Sequence, residues 1–260
     1  MKDKVVLIAG ATSMIGTACA QLFTKHGMKV MLAGRCAHKL DNLAKTLKGR
    51  FELCVTDFCL AESVQSMIDQ TISSFGRIDA VIYNVAVYPW KSIAELELVD
   101  WKETLNTNLT GAFLTTKSCS EIMRKQRGGK IVFISSSAGE IVGLPNMSAY
   151  AASKAGMNGL MRTAAIEFAP YNINVNSISP GKVYDPQTMN EEERRLKLSP
   201  VPLKRFIDPM DIAEMALFLI SDKAKNITGQ NFIIDGGQSI LGEDAHCIWE
   251  INELNSLMMD

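Results

Sequence analysis

The sequence predicts an α/β fold in one domain: a doubly wound parallel sheet of seven strands with helices on both faces. Three observations carry that prediction. Short, continuous apolar runs recur along the chain, as strands buried on both faces require. Amphipathic segments of helical period alternate with those runs, which is the order of βαβ units. No linker, low-complexity tract or break in composition divides the chain.

The elements follow in order. VVLIAG, Val5 to Gly10, is the first strand, and the loop Ala11 to Met14 leads into a helix from about Ile15 to Lys25. KVMLAG (Lys29 to Gly34) is the second strand, followed by a helix around His38 to Leu47. FELCVTD, the third strand, ends in Asp57; Ala61 to Phe75 is helical; RIDAVIYN is the fourth strand, ending at Asn84. After a loop with Pro89 and Trp90, one long helix is expected from Val99 to Arg124. GGKIVFISSS is the fifth strand, and Ser148 to Phe168 the next helix. NINVNSIS, the sixth strand, is stopped by Pro180 and Gly181. Asp208 caps a helix opened by Pro209, and NFIIDGG is the last strand. Residues 182–205 carry Pro186, Pro200, Pro202 and the run EEERR, and read as an excursion holding a short polar helix with a solvated charged face. The domain is assigned to 1–240, and 241–260 is a tail that the sheet does not need.

With 47% apolar and 21% charged residues among 260, the chain can build a sizeable core. Its 27 basic and 28 acidic residues leave no field for nucleic acid. The six cysteines lack CxxC spacing and lie mostly in apolar runs, as reduced thiols of a cytoplasmic protein do. Only His26, His38 and His246 are available, so a histidine triad or multi-histidine metal site is not expected. No apolar stretch reaches the length of a membrane span, and the short apolar run within MKDKVVLIAG ends in glycine rather than a cleavage site.

In such a sheet, ligands gather at the carboxyl ends of the strands. The first turn, GATSMIG (Gly10 to Gly16), passes from strand to helix with glycines that let amides meet a pyrophosphate at the positive helix end. The second strand ends in Gly34 and Arg35, where an acidic residue would select NAD and an arginine suits the 2′-phosphate of NADP. YAASK places Tyr150 and Lys154 one helical turn apart, and a cation beside a phenol favours the phenolate. Taken alone, that spacing is more often a half-buried ring beside a solvated charge. The ordered context gives it meaning.

That order resembles the short-chain dehydrogenase/reductase family, over Lys4 to Ser239. The family's TGxxxGxG motif is matched by AGATSMIG, its Asp after the third strand by Asp57, and NNAG by YNVA, Tyr83 to Ala86. Its catalytic asparagine is matched by Asn108 of NLTGAF, its serine by Ser136 of ISSSAG, and its tyrosine and lysine by Tyr150 and Lys154. Alignment on Gly139 selects Ser136, whereas counting back from Tyr150 selects Ser137. The family's PG is Pro180–Gly181, and the late ITGQ…DGG is present as ITGQNFIIDGG.

The resemblance implies a single-domain Rossmann fold and hydride transfer between a nicotinamide and a ketone or secondary alcohol, as in 3-oxoacyl-[acyl-carrier-protein] reductases. It implies proton transfer by Tyr150, lowering of its pKa by Lys154, substrate orientation by Ser136, and a water held by Asn108. It also implies cofactor contacts from Gly10, Ser13, Met14, Ile15, Gly16, Arg35, Asp57, Phe58, Asn84, Ala86, Tyr150, Lys154, Pro180, Gly181 and Val183. NADP(H) is favoured and NAD(H) possible. The substrate is a small carbonyl, alcohol or acyl thioester, and the assembly a homotetramer or homodimer built on the helices of Phe113, Leu114, Met157, Leu160 and Met161. Those apolar faces are equally explained as cover for their own sheet.

Three positions depart from the family: Met14 for the middle glycine of the phosphate turn, Ala86 for the last glycine of NNAG, and Asp185 where PGxVxT has threonine. They motivate a second reading, a catalytically silent nicotinamide-binding sensor or scaffold. The substrate pocket, with Trp90, Leu144, Met147 and Met189, is expected to be apolar with few charges.

Overall fold

Strand β1 (Val5–Ala9) is inaccessible to solvent at every residue. Only a central strand covered on both faces has that pattern. The computed structural model, which describes residues 1–183 and 190–242, places β1 inside a seven-stranded sheet. The other strands are β2 (Lys29–Gly34), β3 (Arg50–Val55), β4 (Ala80–Tyr83), β5 (Gly129–Ile134), β6 (Ile173–Pro180) and β7 (Asn231–Ile234). Their order is β3-β2-β1-β4-β5-β6-β7, and every pairing is parallel. The fold is the single-domain α/β sheet that the alternation of runs predicts.

Pleating divides the core into two layers, because successive side chains leave opposite faces. Val6, Ile8, Val30 and Ile134 pack beneath α1 (Met14–Lys25), α2 (Ala37–Ala44) and α8 (Pro209–Leu219), with Phe23, Leu40 and Ile212 as helix partners. Leu7, Ala9, Val81 and Phe133 pack beneath α3 (Ala61–Phe75), α5 (Gly111–Gln126) and α6 (Ser148–Phe168), with Met67, Met123 and Met157. The chain winds one way from β1 to β3 and the other from β4 to β7. That reversal opens a crevice between the ends of β1 and β4.

The long helix expected from Val99 to Arg124 is interrupted. α4 (Leu98–Leu105) gives way to a single π turn, Asn106–Thr110, before α5 resumes. The Tyr83 phenol, wholly buried, donates to the Thr107 carbonyl at 2.8 Å, and the Gly111 amide reaches back to Asn106. A side chain at Gly111 would collide with the same phenol oxygen, so only glycine permits the approach. Hydropathy carries no trace of this, because the apolar period continues through the bulge.

The excursion after β6 does hold a short polar helix, α7 (Glu191–Leu198). Asn190 and Glu193 cap it reciprocally at 2.9 and 3.2 Å, and its three leading glutamates and trailing basic residues match the helix dipole. The segment returns to the sheet where Val183 and Ile207 form a parallel bridge. Asp208 accepts from the Met210 amide at 2.8 Å, as its capping role requires. Asp185 and Met189, and all but the first two residues of the tail 241–260, lie outside the described residues.

Cys19, Cys54 and Cys119 are buried thiols, Cys59 is half-buried and Cys36 exposed; burial pushes the Cys19 thiol up to about 12. No described helix is long and apolar enough to cross a membrane.

Candidate active site

The phosphate turn is built around Asn84. Its side-chain amide, at the end of β4, donates to the Gly10 carbonyl at 3.1 Å and to Ser13 Oγ at 2.6 Å. Ser13 is the N-cap of α1, and its Oγ also accepts from the Gly16 amide at 3.1 Å. A Cβ on Gly16 would collide with the Gly10 carbonyl and lie 2.8 Å from Ala11 backbone atoms, so the helix start packs onto the turn only because that residue is glycine.

Met14 is the first helical residue and its side chain is 46% exposed. It is therefore turned out of the turn, as a non-glycine residue there must be. The amides of Met14 and Ile15 have no preceding helical carbonyl to bind and stand at the positive end of α1. A dinucleotide pyrophosphate fits such a start.

Arg35 is exposed beyond β2. Asp57, beyond β3, accepts from the Cys59 amide at 2.9 Å, and its own amide donates to Ser63 Oγ at 2.9 Å. Phe58 needs a correction: its ring is 1% exposed and stacks edge-on with Tyr83 at 5.9 Å. As a core side chain, it offers a cofactor only its main chain.

At the mouth of the crevice lies a cleft of about 470 Å³. Ile15, Asn84 and Ala86 line one part; Ser136, Tyr150 and Lys154 line the floor; Pro180, Gly181 and Val183 close the side beyond β6. Residues from five separate segments thus converge where the sheet's topology predicts a ligand. Ser136 lines the cleft beside Tyr150, and its hydroxyl acts on the phenol's ionisation. Ser137 does neither; its carbonyl receives the Glu140, Ile141 and Val142 amides. The geometry favours Ser136.

Lys154 is 2% exposed, and its Nζ donates to the Ile134 carbonyl at 2.6 Å. From the same residue, the main-chain carbonyl accepts from Ser135 Oγ at 3.2 Å, so the end of β5 holds α6 twice. The Lys154 ammonium lies 5.6 Å from the Tyr150 ring centroid. Burial lowers Lys154 to about 7 and raises Tyr150, with the Ser136 hydroxyl pulling the phenol back down. The sequence expected Lys154 to lower the tyrosine. Here the lowering partner is Ser136, because desolvation dominates both ionisations and the ammonium is directed at the β5 carbonyl.

Asn108 sits in the π turn and is fully buried. Its amide donates to the Val87 carbonyl and to Ser153 Oγ, both at 2.9 Å, and its Oδ1 accepts from the Val87 amide at 2.8 Å. The side chain therefore clamps the loop after β4 onto α6, leaving no amide proton for a water.

The cleft is mostly apolar, as expected, and its charges are lysines. Trp90, Leu144 and Met147 line the cleft, together with Tyr88, Phe206, Lys182 and Lys197. The Tyr88 ring meets that of Tyr150 edge-on at 5.7 Å. Lys182 had a signal in the sequence, a charged residue directly after the Pro–Gly at a strand end, and Tyr88 and Lys197 lie in the stretches that follow strand ends. Tyr88, Phe206 and Lys197 come from loops and α7, whose placement depends on the whole fold. Among the helix residues weighed for self-association, Met157 and Met161 are buried under their own sheet, whereas Phe113 is 48% exposed.

A family model described as enoyl-(acyl carrier protein) reductase matches residues 10–239. The 3-oxoacyl-[acyl-carrier-protein] reductase of Thermotoga maritima is 37% identical over 242 residues, 91% of this chain and 98% of that protein. The trans-4-hydroxycyclohexanecarboxylate dehydrogenase of Sinomonas cyclohexanicum is 34% identical over 249 residues, covering 91% and 93% respectively. A solved structure described as a short-chain dehydrogenase/reductase from Burkholderia xenovorans superposes with a TM-score of 0.88 at 31% identity, over 93% of this chain and 98% of that one.

Lys154 links stability to pH. An unfolded lysine keeps its proton to about pH 10.4, and the folded one only to about 7. Between those values unfolding takes up a proton, so the penalty for burying this lysine fades as pH rises. Relative to a Lys154→Met variant, the wild type should gain stability from pH 7 to 10, by up to about 5 kcal/mol in the linkage limit. Denaturation curves of both proteins across that range measure it, and parallel pH dependences contradict it.

Proposed function

The chain belongs to the short-chain dehydrogenase/reductase family, and from that premise we propose an NADP(H)-dependent reductase of ketones, related to the 3-oxoacyl-[acyl-carrier-protein] reductases. Hydride transfer is general for the family. The observation that carries the finer reading is the convergence of Ser136, Tyr150 and Lys154 on one cleft beside an open helix start. The Thermotoga relative, a 3-oxoacyl reductase, supports a carbonyl substrate, and the Sinomonas relative supports a secondary alcohol as its counterpart.

The nicotinamide supplies or accepts the hydride. In reduction, the Tyr150 phenol gives its proton to the oxygen of the forming alcohol, and in oxidation the phenolate takes it. Ser136, which lines the cleft beside Tyr150, donates to the same substrate oxygen and stabilises the charge that develops there. Lys154 is held near neutrality by burial and can return a proton to the phenol at physiological pH. We assign any water of that relay to main-chain oxygen near Asn108, since both amide protons of its side chain are engaged.

For the cofactor, Gly10, Ser13, Met14, Ile15, Gly16 and Asn84 form the pyrophosphate turn. Asp57 and the Phe58 main chain stand on the adenine side. Ala86, Pro180, Gly181 and Val183 stand around the nicotinamide. Arg35 is the NADP determinant: exposed, at the end of β2, and free to meet a 2′-phosphate bidentately. We also infer a cytoplasmic homotetramer or homodimer, supported by the outward Leu98, Val99 and Phe113 on α4 and α5.

Tyr150→Phe should lower turnover of a ketone panel by about 10²- to 10⁴-fold, with NADPH binding, followed by fluorescence titration, nearly unchanged. Wild-type turnover in the variant contradicts the mechanism. Tight NADPH binding with no turnover by the wild type on any ketone supports a sensor instead. Arg35→Ala should weaken NADPH by about 10- to 100-fold, as loss of charge-assisted hydrogen bonds does, and leave NADH little changed. Equal losses reject the NADP assignment.

A further inference from the structure

We propose that the cleft takes a carboxylate-bearing ketone or secondary alcohol, with the Lys182 ammonium holding the carboxylate while Tyr150 and Ser136 face the reacting oxygen. This rests on the reductase reading above and adds the substrate's class.

Lys182 is fixed in place from both sides. The Gly181 amide before it donates to the Ile234 carbonyl at 2.8 Å, and its own carbonyl accepts from the Ile207 amide at 3.0 Å. Its Nζ donates to the Lys197 main-chain carbonyl at 2.6 Å, in the last turn of α7. An ammonium has three protons; among the described residues this tether is the hydrogen bond that its Nζ makes, which aims the group and leaves two protons for a ligand. No carboxylate lies within ion-pair distance of Lys182 among the described residues. Lys197 lines the same cleft, and its charge, after burial, is the second cause that lowers the Lys182 pKa.

The remaining walls suit the rest of such a molecule. Trp90, Leu144, Met147 and Phe206 give an apolar surface for a hydrocarbon linker, in a volume typical of small-molecule sites. The cofactor's phosphates are an unsuitable partner for this ammonium. Of the phosphate turn, only Ile15 reaches the cleft; Ser13, Met14 and Gly16 lie outside it. The tether holds Lys182 Nζ against α7, whose Lys197 lines the same cleft.

The test uses a length series of oxo acids (4-oxopentanoate, 5-oxohexanoate and 6-oxoheptanoate), each paired with its methyl ester. Binding is measured by calorimetry on the NADP⁺-loaded protein, and turnover with NADPH in parallel. At the preferred length the acid should bind at least about tenfold more tightly than its ester, the scale of one charge-assisted hydrogen bond. Lys182→Met should bring the acid-to-ester ratio close to one, and Lys182→Arg, which keeps the charge, should retain the preference. No preference for the acid at any length overturns the proposal. So does a Lys182→Met variant that keeps the wild-type ratio, including one that weakens NADPH binding instead. Acid-selective binding without turnover of any ketone leaves the anion site standing and rejects the reductase reading, so the two failures are distinguishable.

Discussion

A buried ammonium held by a strand-end carbonyl is the constraint on which the site depends. Lys154 Nζ reaches Ile134 at 2.6 Å from within α6, and that contact fixes how the helix lies on β5. Tyr150, one turn earlier, is thereby set over the cleft beside Ser136, which extends from the same strand. Removing the lysine from water costs stability unless its charge is relieved. The relief is the shift toward neutrality that lets the group exchange a proton in the cell's pH range. Structural cost and chemical use have one cause.

The other half of the site is organised by a neutral group. Asn84 ties the Gly10 carbonyl to Ser13 Oγ and so joins β4 to the start of α1 across the point where the winding reverses. Asn108 does the corresponding work on the far side, tying the Val87 loop to Ser153 in α6. Both amides are locked by two or more hydrogen bonds. The crevice between them is rigid on its walls, and its helix start has amides free to meet an anion.

Much of this was legible in the residues. The apolar runs of β1, β2, β4 and β5 mark strands covered by helices, and the βα alternation places β3, β6 and β7, which carry exposed or polar residues, around them. The ordered positions of Gly10, Ser136, Tyr150 and Lys154 marked strand ends and one helix face, which local sequence specifies. What escaped depended on contacts distant in sequence. The π turn at Asn108 follows from a tyrosine 24 residues earlier seizing the Thr107 carbonyl. The core position of Phe58 follows from its stacking with Tyr83, and the presence of Lys197 at the cleft follows from the folding back of α7. The direction of the Tyr150 shift escaped for a related reason: spacing shows that a cation is near, while desolvation can be weighed only once the helix is packed.

The account's central claim concerns the ionisation of Lys154, and an NMR titration of its side chain measures it directly. Lysines labelled at Nζ, with Lys154 assigned through the Lys154→Met variant, are followed from pH 5 to 11 in the protein without cofactor. The structure predicts a titration near 7, set by burial against the end of β5. A midpoint near 10.4, that of a solvated lysine, would contradict it.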